Sequence, residues 1–295
     1  MKTLEELASA FQLSVDELRM RTASPDGDYD YYYYKRKRSG GRRRIDPPME
    51  PLKETQRLAR DLLAPLITSP IVYGVKDRNY FDAARIHVRQ QFVGMLDIED
   101  FYSSVRTALV RWALRNVGFE GEALEWLVAL LTRDGRLRQG PPSSPAMANL
   151  VLAQLDERVA AEALRLRVNV TRVVDDFAIS GSNRSAVRDM QRFITRQLRD
   201  LDLRVNPQKT SIMVRHEPQL VHGLTVNNGV AIPKNKKTAS RRLSRKHMRS
   251  EVRRVARYGC TDQEYKRLVG LIGHVKYLHP KEADRLLADL LGGAR

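Results

Sequence analysis

Apolar residues recur with helical spacing over much of the chain. Residues 3–22 predict two short helices, with Thr3 and Ser14 as N-caps and Glu17 completing a capping box with Ser14. The same spacing returns in five later stretches: 52–66, 106–132 with a break near Gly118 and Gly121, 146–166 as one long helix, 185–201, and 238 onward. The pattern predicts a helix-rich chain that ends in an all-helical segment.

Short runs with strand character lie between these helices. Phe92–Ile98 is an apolar run of strand length, and Val168–Ser180 alternates like a hairpin. Tyr31–Tyr34 begins an extended segment, and the glycine-rich turn at 39–41 predicts a hairpin with cationic side chains near its tip. Residues 203–232 predict three more short strands. Strands interleaved with helices and followed by a helical tail indicate an α+β body with a C-terminal helical lobe.

Length and composition fit one large catalytic domain with lobes. The chain has 295 residues, of which 42% are hydrophobic, enough to bury a sizeable core. Its single cysteine, Cys260, excludes a disulfide framework and a cysteine zinc site. Met1–Ala10 does not resemble a signal peptide, and no apolar run reaches the roughly 18 residues of a membrane span. We therefore expect a soluble cytoplasmic protein with no membrane partner.

The formal net charge of +17 is concentrated in two segments. Residues 35–44 hold seven basic residues and no acidic one, and residues 233–257 hold eleven basic residues and only Glu251 as an acid. Together these segments carry the whole excess, so the rest of the chain is neutral. Basic segments at defined places on a neutral body favour a nucleic-acid partner. The alternative is a solvated charge run that merely keeps the protein in solution.

Three carboxylates follow strand-like runs. Asp175 and Asp176 lie between β-branched residues, where a strand interior would force one of them toward the packed face. At the turn of a hairpin both could project toward a divalent cation, although an ordinary Asp-Asp turn is the alternative. Asp97 ends another apolar strand 78 residues earlier. If the two strands are adjacent, the three carboxylates meet, and two Mg²⁺ ions are the common solution for phosphoryl transfer at such a cluster.

Five segments in order resemble the palm motifs and primer grip of reverse transcriptases: LDIEDFYSSV at 96–105, QGPPSSPAMANLVLAQLDERV at 139–159, VVDDFAISG at 173–181, RVNPQKT at 204–210 and VHGLTVN at 221–227. Lys37, the Ser-Gly-Gly at 39–41 and Arg43-x-Ile45 resemble the fingers of retron reverse transcriptases. Residues 268–287 resemble the end of the retron thumb. The likeness extends over roughly residues 30–290.

The resemblance implies a right-hand polymerase fold of the α+β class, with fingers, palm and a helical C-terminal thumb. We expect an N-terminal helical segment at 1–24 and fingers at 25–94. The palm is expected at 95–228, with finger-side helices around 106–138, and the basic helical thumb at 229–295.

The resemblance also implies the catalytic roles. Asp97 and Asp175, with the Ile98 carbonyl, would hold two Mg²⁺ ions, and Asp176 would support them. One ion would lower the pKa of the primer 3′-hydroxyl and the other would neutralise the triphosphate and the leaving pyrophosphate. No protein nucleophile is needed.

Six residues are implied to bind the incoming dNTP: Lys37, Arg43, Tyr102, Gln139, Gly140 and Lys209. Lys37 and Arg43 would clamp the triphosphate, unless neighbouring arginines do so instead. Tyr102 matches an aromatic steric gate that excludes a 2′-hydroxyl. The alternative is that its ring simply packs in the core. Lys209 is interpreted as a general acid for pyrophosphate or as a plain surface lysine.

Eight residues of the primer grip and thumb are implied to contact nucleic acid: Gly223, Lys234, Lys236, Lys237, Arg241, Arg242, Arg245 and Arg249. These contacts would follow the backbone of the template–primer duplex, giving salt dependence and little base readout. His87 and His222 are isolated in sequence, and we do not expect them to bind metal.

Three positions depart from the retron pattern. Val173 replaces the usual Tyr before the Asp pair, Ala83 stands where Asn is usual, and His222 replaces Thr before Gly223. The leading hypothesis is an RNA-directed DNA polymerase of retron type. It would copy a structured noncoding RNA into RNA-linked DNA, with an RNA–DNA duplex as product, and act in antiphage defence with a separate effector protein. The alternatives are another bacterial defence or intron-derived reverse transcriptase, a silent RNA-binding scaffold, and an RNA-templated RNA polymerase.

Overall fold

The structure is a computed structural model that describes residues 1–22, 31–36, 41–233 and 245–292. In these ranges the helices are α1 Leu4–Phe11, α2 Val15–Thr22, α3 Leu52–Leu63, α4 Tyr80–Ile86, α5 Phe101–Ser104, α6 Thr107–Asn116, α7 Gly121–Leu131, α8 Ser144–Val151, α9 Ala153–Leu166, α10 Arg184–Asp200, α11 Arg245–Tyr258, α12 Asp262–Leu278 and α13 Pro280–Gly292. The strands are β1 Tyr33–Arg36, β2 Arg42–Ile45, β3 Val72–Tyr73, β4 Phe92–Asp97, β5 Thr132–Arg133, β6 Arg136–Leu137, β7 Asn169–Val173, β8 Asp176–Gly181, β9 Ser211–Val214, β10 Leu220–Val221 and β11 Leu224–Thr225.

A five-stranded sheet in the order β3-β7-β8-β4-β9 forms the centre of the molecule. The pairs β7–β8, β8–β4 and β4–β9 are antiparallel, while β3 runs parallel to β7. Because side chains alternate across a strand, Leu96, Phe177 and Ile179 face the main core, where α9 and α10 pack. Val93 and Ala178 face the opposite way, into a second core cluster.

The N-terminal helices pack onto α7. The indole nitrogen of Trp126 donates to the Leu18 carbonyl at 3.1 Å, and the rings of Phe11 and Trp126 meet edge to face at 5.9 Å. The Ser14 hydroxyl accepts from the Glu17 amide, while the Ser14 amide donates to the Glu17 carboxylate at 2.7 Å. This reciprocal pair is the predicted capping box.

The C-terminal helices build the second core cluster. Val252 of α11 and Leu268 of α12 are fully buried there, together with Val221 and Val226 from the segment just before. The ring of Tyr277 stacks on Phe81 of α4 at 4.4 Å, which joins the helical lobe to the sheet. The predicted helical tail is therefore confirmed for residues 245–292; the part of it at 238–244 lies outside the described residues.

The predicted long helix at 146–166 is wrong in one respect. It breaks at Leu152, where ψ is 1°, and continues as α9. The break lets Asn149 of α8 and Asp156 of α9 reach the same buried guanidinium, that of Arg172. Tertiary hydrogen bonds here override the apolar spacing that favoured one continuous helix. None of the helices in the described ranges is both long and apolar enough to cross a bilayer.

His87 joins α4 to the central sheet. Its side chain is fully buried, with Nδ1 2.7 Å from the Ser180 hydroxyl of β8 and Nε2 2.8 Å from the Thr171 hydroxyl of β7. Burial, with a smaller contribution from the nearby His222, lowers the pKa of His87 to about 3. The imidazole is therefore neutral, and its two hydrogen bonds connect the end of α4 to β7 and β8.

His87 should make the fold sensitive to acid. The unfolded chain takes up a proton near the ordinary histidine pKa of about 6.5, whereas the folded chain resists protonation down to about 3. The free energy of unfolding should therefore fall as the pH drops through this window, by up to about 1.4 kcal/mol per pH unit. A His87→Gln variant lacks this contribution, so urea unfolding at several pH values should give a shallower slope. His216→Gln, at an exposed histidine, is the control. Equal slopes for wild type and His87→Gln would contradict the assignment.

Candidate active site

The three carboxylates predicted from sequence meet at one end of the sheet. Strands β4 and β8 pair so that Asp97 lies opposite Asp176. Asp175 occupies the turn between β7 and β8, and its carbonyl accepts a hydrogen bond from the Ile98 amide at 3.0 Å. The adjacency expected of the two strands is therefore present, while metal binding by these residues stays a prediction.

The turn that carries Asp175 has an unusual backbone. Val174 has a φ of 57°, in the left-handed region that a β-branched residue seldom occupies. Such a conformation persists only where the surroundings hold it. The holding contact is a hydrogen bond of 2.6 Å from the Arg172 guanidinium to the Val174 carbonyl.

Arg172 is itself completely buried and donates four hydrogen bonds. Its Nε donates to Asp156 at 2.8 Å, its Nη2 donates to the other Asp156 oxygen, and its Nη1 also reaches Asn149 at 2.9 Å. Burial raises the pKa of Asp156, while the charge and hydrogen bonds of Arg172 oppose this shift. One guanidinium thus ties α8, α9 and the aspartate turn together. A basic residue inside an apolar strand was the sequence signal for this role, and it was overlooked.

Burial and mutual repulsion destabilise the ionised forms of the clustered carboxylates. Burial raises the pKa of Asp175 to about 6, and the charge of Asp97 adds to the effect. Burial also raises the pKa of Asp97, against the opposing hydrogen bonds from Lys209. A cation at this position would relieve both carboxylates.

Lys209 already supplies one positive charge. Its ammonium lies 2.7 and 2.8 Å from the two oxygens of Asp97, and the Asn206 amide donates to the Asp97 carbonyl at 2.8 Å. Among the described residues, no group of three or more Asp, Glu, His or Cys side chains is arranged so that it could bind a metal ion. The donors are nevertheless of the right chemistry for Mg²⁺, since carboxylate and carbonyl oxygens are its preferred protein ligands. For a cation to take Asp97, the Lys209 ammonium has to move aside.

The carboxylates open onto a cleft of about 400 Å³. Besides Asp97, Ile98 and Asp175, its lining includes four of the residues predicted to bind the nucleotide, namely Arg43, Tyr102, Gln139 and Lys209. Burial raises the pKa of the Tyr102 phenol to about 12, and Asp175 reinforces the shift, so Tyr102 stays neutral. The cleft thus combines cations, a neutral aromatic ring and carboxylates.

Gly140 fixes one wall of the cleft. Its φ is 133°, and a Cβ at this position would collide with the backbone carbonyl of Asp46. The Asp46 amide donates to the Gln139 carbonyl at 2.8 Å, so the two segments lie directly against each other. Glycine is needed here because the Asp46 backbone approaches so closely, while contact of Gly140 with a nucleotide stays a prediction.

The turn between β10 and β11 contributes a residue that sequence reasoning dismissed. His222 Nδ1 lies 3.0 Å from an Asp176 oxygen, and the side chain is only 5% exposed. Gly223 follows in the same turn with a φ of 83°. His222 therefore orients Asp176, and the replacement of Thr at this position is the signal that could have revealed it.

The predicted nucleic-acid contacts of the basic segments cannot be placed at the cleft. Five of the residues predicted to contact nucleic acid lie outside the described ranges, namely Lys234, Lys236, Lys237, Arg241 and Arg242, as does Lys37, which was predicted to bind the triphosphate. The backbone of Arg245 begins α11, but its side chain is not described. Arg249 is half exposed and bonds to Glu282 of α13 at 2.9 Å. Their contacts with nucleic acid stay predictions.

Comparison with known proteins decides the family. Residues 35–251 match the family model described as reverse transcriptase (RNA-dependent DNA polymerase). The chain belongs to this family. The chain is 32% identical to the retron Mx65 reverse transcriptase of Myxococcus xanthus over 84% of its own length and 61% of that relative. It is 26% identical to the retron Ec86 reverse transcriptase of Escherichia coli, over 77% of its length and 72% of that relative.

The chain thus spans about three fifths of the Mx65 relative, and these matches confirm the predicted retron resemblance. Its fold is similar to that of apo telomerase from Candida tropicalis, with a TM-score of 0.56 at 11% identity, over 90% of this chain and 59% of that one. At this identity the likeness concerns the fold alone. With the mixed sheet and helical C-terminus, it confirms the right-hand polymerase class. The lobe boundaries expected at residues 24, 94 and 228 stay predictions.

The Arg172 contacts lead to a prediction about stability. Arg172→Met leaves Asp156 buried without its partner and should lower the free energy of unfolding by about 3–5 kcal/mol in urea titrations. The double variant Arg172→Met/Asp156→Leu should recover much of that loss, because an apolar pair of similar volume packs without a charge.

Arg165→Met is the matched control, because its ion pair with Glu162 lies at the surface and should contribute little. A loss for Arg172→Met no larger than for Arg165→Met would show that the buried pair does not hold the fold.

Proposed function

We propose that this chain is an RNA-directed DNA polymerase. The observation that carries the proposal is that Asp97 and Asp175 line one cleft with Tyr102 and Arg43, while Asp176 lies opposite Asp97 on the neighbouring strand. This combination suits nucleotidyl transfer, because the carboxylates can hold cations while the cleft accepts a charged nucleotide. Membership of the reverse transcriptase family supports the same activity.

In the proposed reaction, Asp97, Asp175 and the Ile98 carbonyl hold two Mg²⁺ ions, with Asp176 as support. The chemistry that such ions supply is activation of the primer 3′-hydroxyl and neutralisation of the triphosphate charge. His222 keeps Asp176 in position through its 3.0 Å contact. Lys209 releases Asp97 and turns its ammonium toward the phosphates, where it can donate a proton to the departing pyrophosphate.

The remaining cleft residues position the dNTP. Arg43 contacts the triphosphate together with Lys37, since a guanidinium fork suits phosphate oxygens. Gln139 and Gly140 form the wall against which the nucleotide lies. The Tyr102 ring is rigid and neutral, so it rejects a 2′-hydroxyl by its bulk and selects dNTPs over rNTPs.

The proposed macromolecular substrates are an RNA template and an RNA–DNA duplex. Gly223 lies in the turn beside Asp176, where primer contacts are expected. The basic residues of the thumb that the sequence assigns to nucleic acid would follow the duplex backbone, with a strong dependence on salt.

We further propose that the enzyme is of retron type. The similarity to retron reverse transcriptases supports this, although Val173 and His222 depart from the usual pattern. A structured noncoding RNA is then the template, its DNA copy stays joined to RNA, and a separate effector protein acts with the enzyme in antiphage defence. Val173 can pack beneath the primer terminus but cannot hydrogen-bond to it, so the metal chemistry is unaffected.

A primer-extension assay tests the proposed activity. The purified protein should extend a primer on RNA with Mg²⁺ and dNTPs, and not with rNTPs, and DNase should digest the product. Asp175→Ala should abolish extension while the affinity for RNA stays near that of wild type, because only the cation ligand is removed. Asp200→Ala removes an exposed carboxylate at the end of α10 and should extend normally. An active Asp175→Ala enzyme would overturn the catalytic assignment, and a wild type without synthesis would favour an RNA-binding scaffold.

The retron assignment has its own test. The protein is purified together with RNA co-expressed from its genomic neighbourhood, and extension is started with dNTPs. We expect DNA that changes its mobility on a denaturing gel after RNase treatment, because the strands are covalently joined. Unbranched DNA would instead indicate another type of bacterial reverse transcriptase.

A further inference from the structure

The ribbon formed by β1 and β2 exposes aromatic and basic side chains together. The side chains of Tyr31–Tyr34 are between 46% and 58% exposed. Lys35 and Arg36 continue the first strand, and β2 begins with Arg42–Arg44. Four neighbouring rings left in water are a costly arrangement for a monomer surface, and they mark a place where something binds.

Strand register sorts these side chains onto two faces. Tyr34 lies opposite Arg44 and Arg36 opposite Arg42, and residues that face each other across a pair share a side of the ribbon. One side, here called the arginine–tyrosine face, carries Tyr32, Tyr34, Arg36, Arg42 and Arg44. The opposite side carries Tyr31, Tyr33, Lys35, Arg43 and Ile45. The arginine–tyrosine face thus holds three guanidinium groups beside its two rings.

Contacts at the base of the ribbon order this face. The Arg44 guanidinium lies 4.3 Å above the Tyr32 ring and also bonds to the buried Asp46 carboxylate at 2.7 Å. Tyr34 meets Tyr32 edge to face at 5.8 Å. Since the rings are already held in place, binding a flat partner costs little side-chain entropy.

The same contacts join the face to the candidate active site. The Asp46 amide donates to the carbonyl of Gln139, which forms part of the cleft wall, and Arg42 and Arg44 line that cleft, as does Arg43 from the opposite side of the ribbon. Only the arginine–tyrosine face carries the Arg44 contact to Asp46, so we take a strand lying along this face to run toward the nucleotide pocket.

We propose that the arginine–tyrosine face binds the single-stranded template next to the nucleotide pocket, with bases stacked on Tyr32 and Tyr34. Aromatic rings stack on any base, and guanidinium groups contact the phosphates between them. A duplex offers no free base faces, so this chemistry selects a single strand. The identification of that strand as template rests on the proposed function, whereas stacking itself does not.

The test measures binding without dNTPs, by fluorescence anisotropy. One probe is a primer–template duplex with an RNA overhang of about ten nucleotides, and the other is the same duplex with blunt ends. Tyr32→Ala/Tyr34→Ala should weaken binding of the overhang probe about tenfold or more, and should change binding of the blunt probe far less. Tyr31→Ala/Tyr33→Ala removes two equally exposed rings from the opposite side and should have a small effect. Tyr32→Phe/Tyr34→Phe should bind like wild type, because stacking needs the ring and not the hydroxyl.

The outcomes separate the proposal from its rivals. Equal losses for the two alanine pairs, or no loss for either, would overturn it, the second result pointing to a protein partner on this face. A matching urea midpoint for all variants excludes a folding defect. A probe with a DNA overhang distinguishes the source of the strand: loss on RNA, or on both, supports template stacking, and loss on DNA alone overturns it. A protein that binds the overhang but does not extend the primer refutes the proposed function and leaves the stacking surface intact.

Discussion

The candidate active site depends on one buried cation. A guanidinium with no exposed surface is tolerated only when charged and polar partners replace water around it, and Arg172 has Asp156, Asn149 and the Val174 carbonyl. Those partners come from two helices and from the turn. The left-handed conformation of Val174 is therefore maintained by the packing of the whole body rather than by the turn itself. Rigid packing beneath the turn places Asp175 beside Asp97 before any substrate arrives.

The second constraint is the electrostatic repulsion between the carboxylates of the site. It destabilises the arrangement that the contacts of Arg172 stabilise. Bringing Asp97 and Asp175 into a partly buried site raises the pKa of both, and among the described residues it is Lys209 that forms an ion pair with Asp97. A flexible ammonium is a replaceable partner, in contrast to the fixed fork of Arg172. The site thus combines a carboxylate pair that favours added cations with a protein cation that can move away. The destabilised carboxylates lie where chemistry is expected. The rigid ion pair of Arg172 with Asp156 lies beneath them.

The sequence was informative where function follows from local pattern. Strand-end carboxylates predicted that Asp97, Asp175 and Asp176 lie together, and the capping box placed α2. It failed where a role depends on long-range partners. Asn149 and Asp156 meet Arg172 only after α8 and α9 have turned at Leu152, and His222 meets Asp176 only across the β10–β11 turn. No periodicity encodes these pairings, because they depend on the crossing of elements distant in the chain.

The ribbon formed by β1 and β2 and the turn that carries Asp175 are each held by an ion pair between a buried carboxylate and an arginine. Asp46 is buried, accepts two guanidinium groups from Arg44 and Arg133, and bonds through its amide to the wall of the cleft. Asp156 does the corresponding work beneath the turn. In both places a buried carboxylate fixes an arginine, and that arginine contacts a further group, an exposed tyrosine ring in one case and the carbonyl of the left-handed Val174 in the other. A template strand on the ribbon and cations at the turn would therefore each bind to a surface that ion pairs with buried carboxylates have already ordered. The distance between them is then set by the core, because neither anchor can shift without leaving a buried charge unpaired.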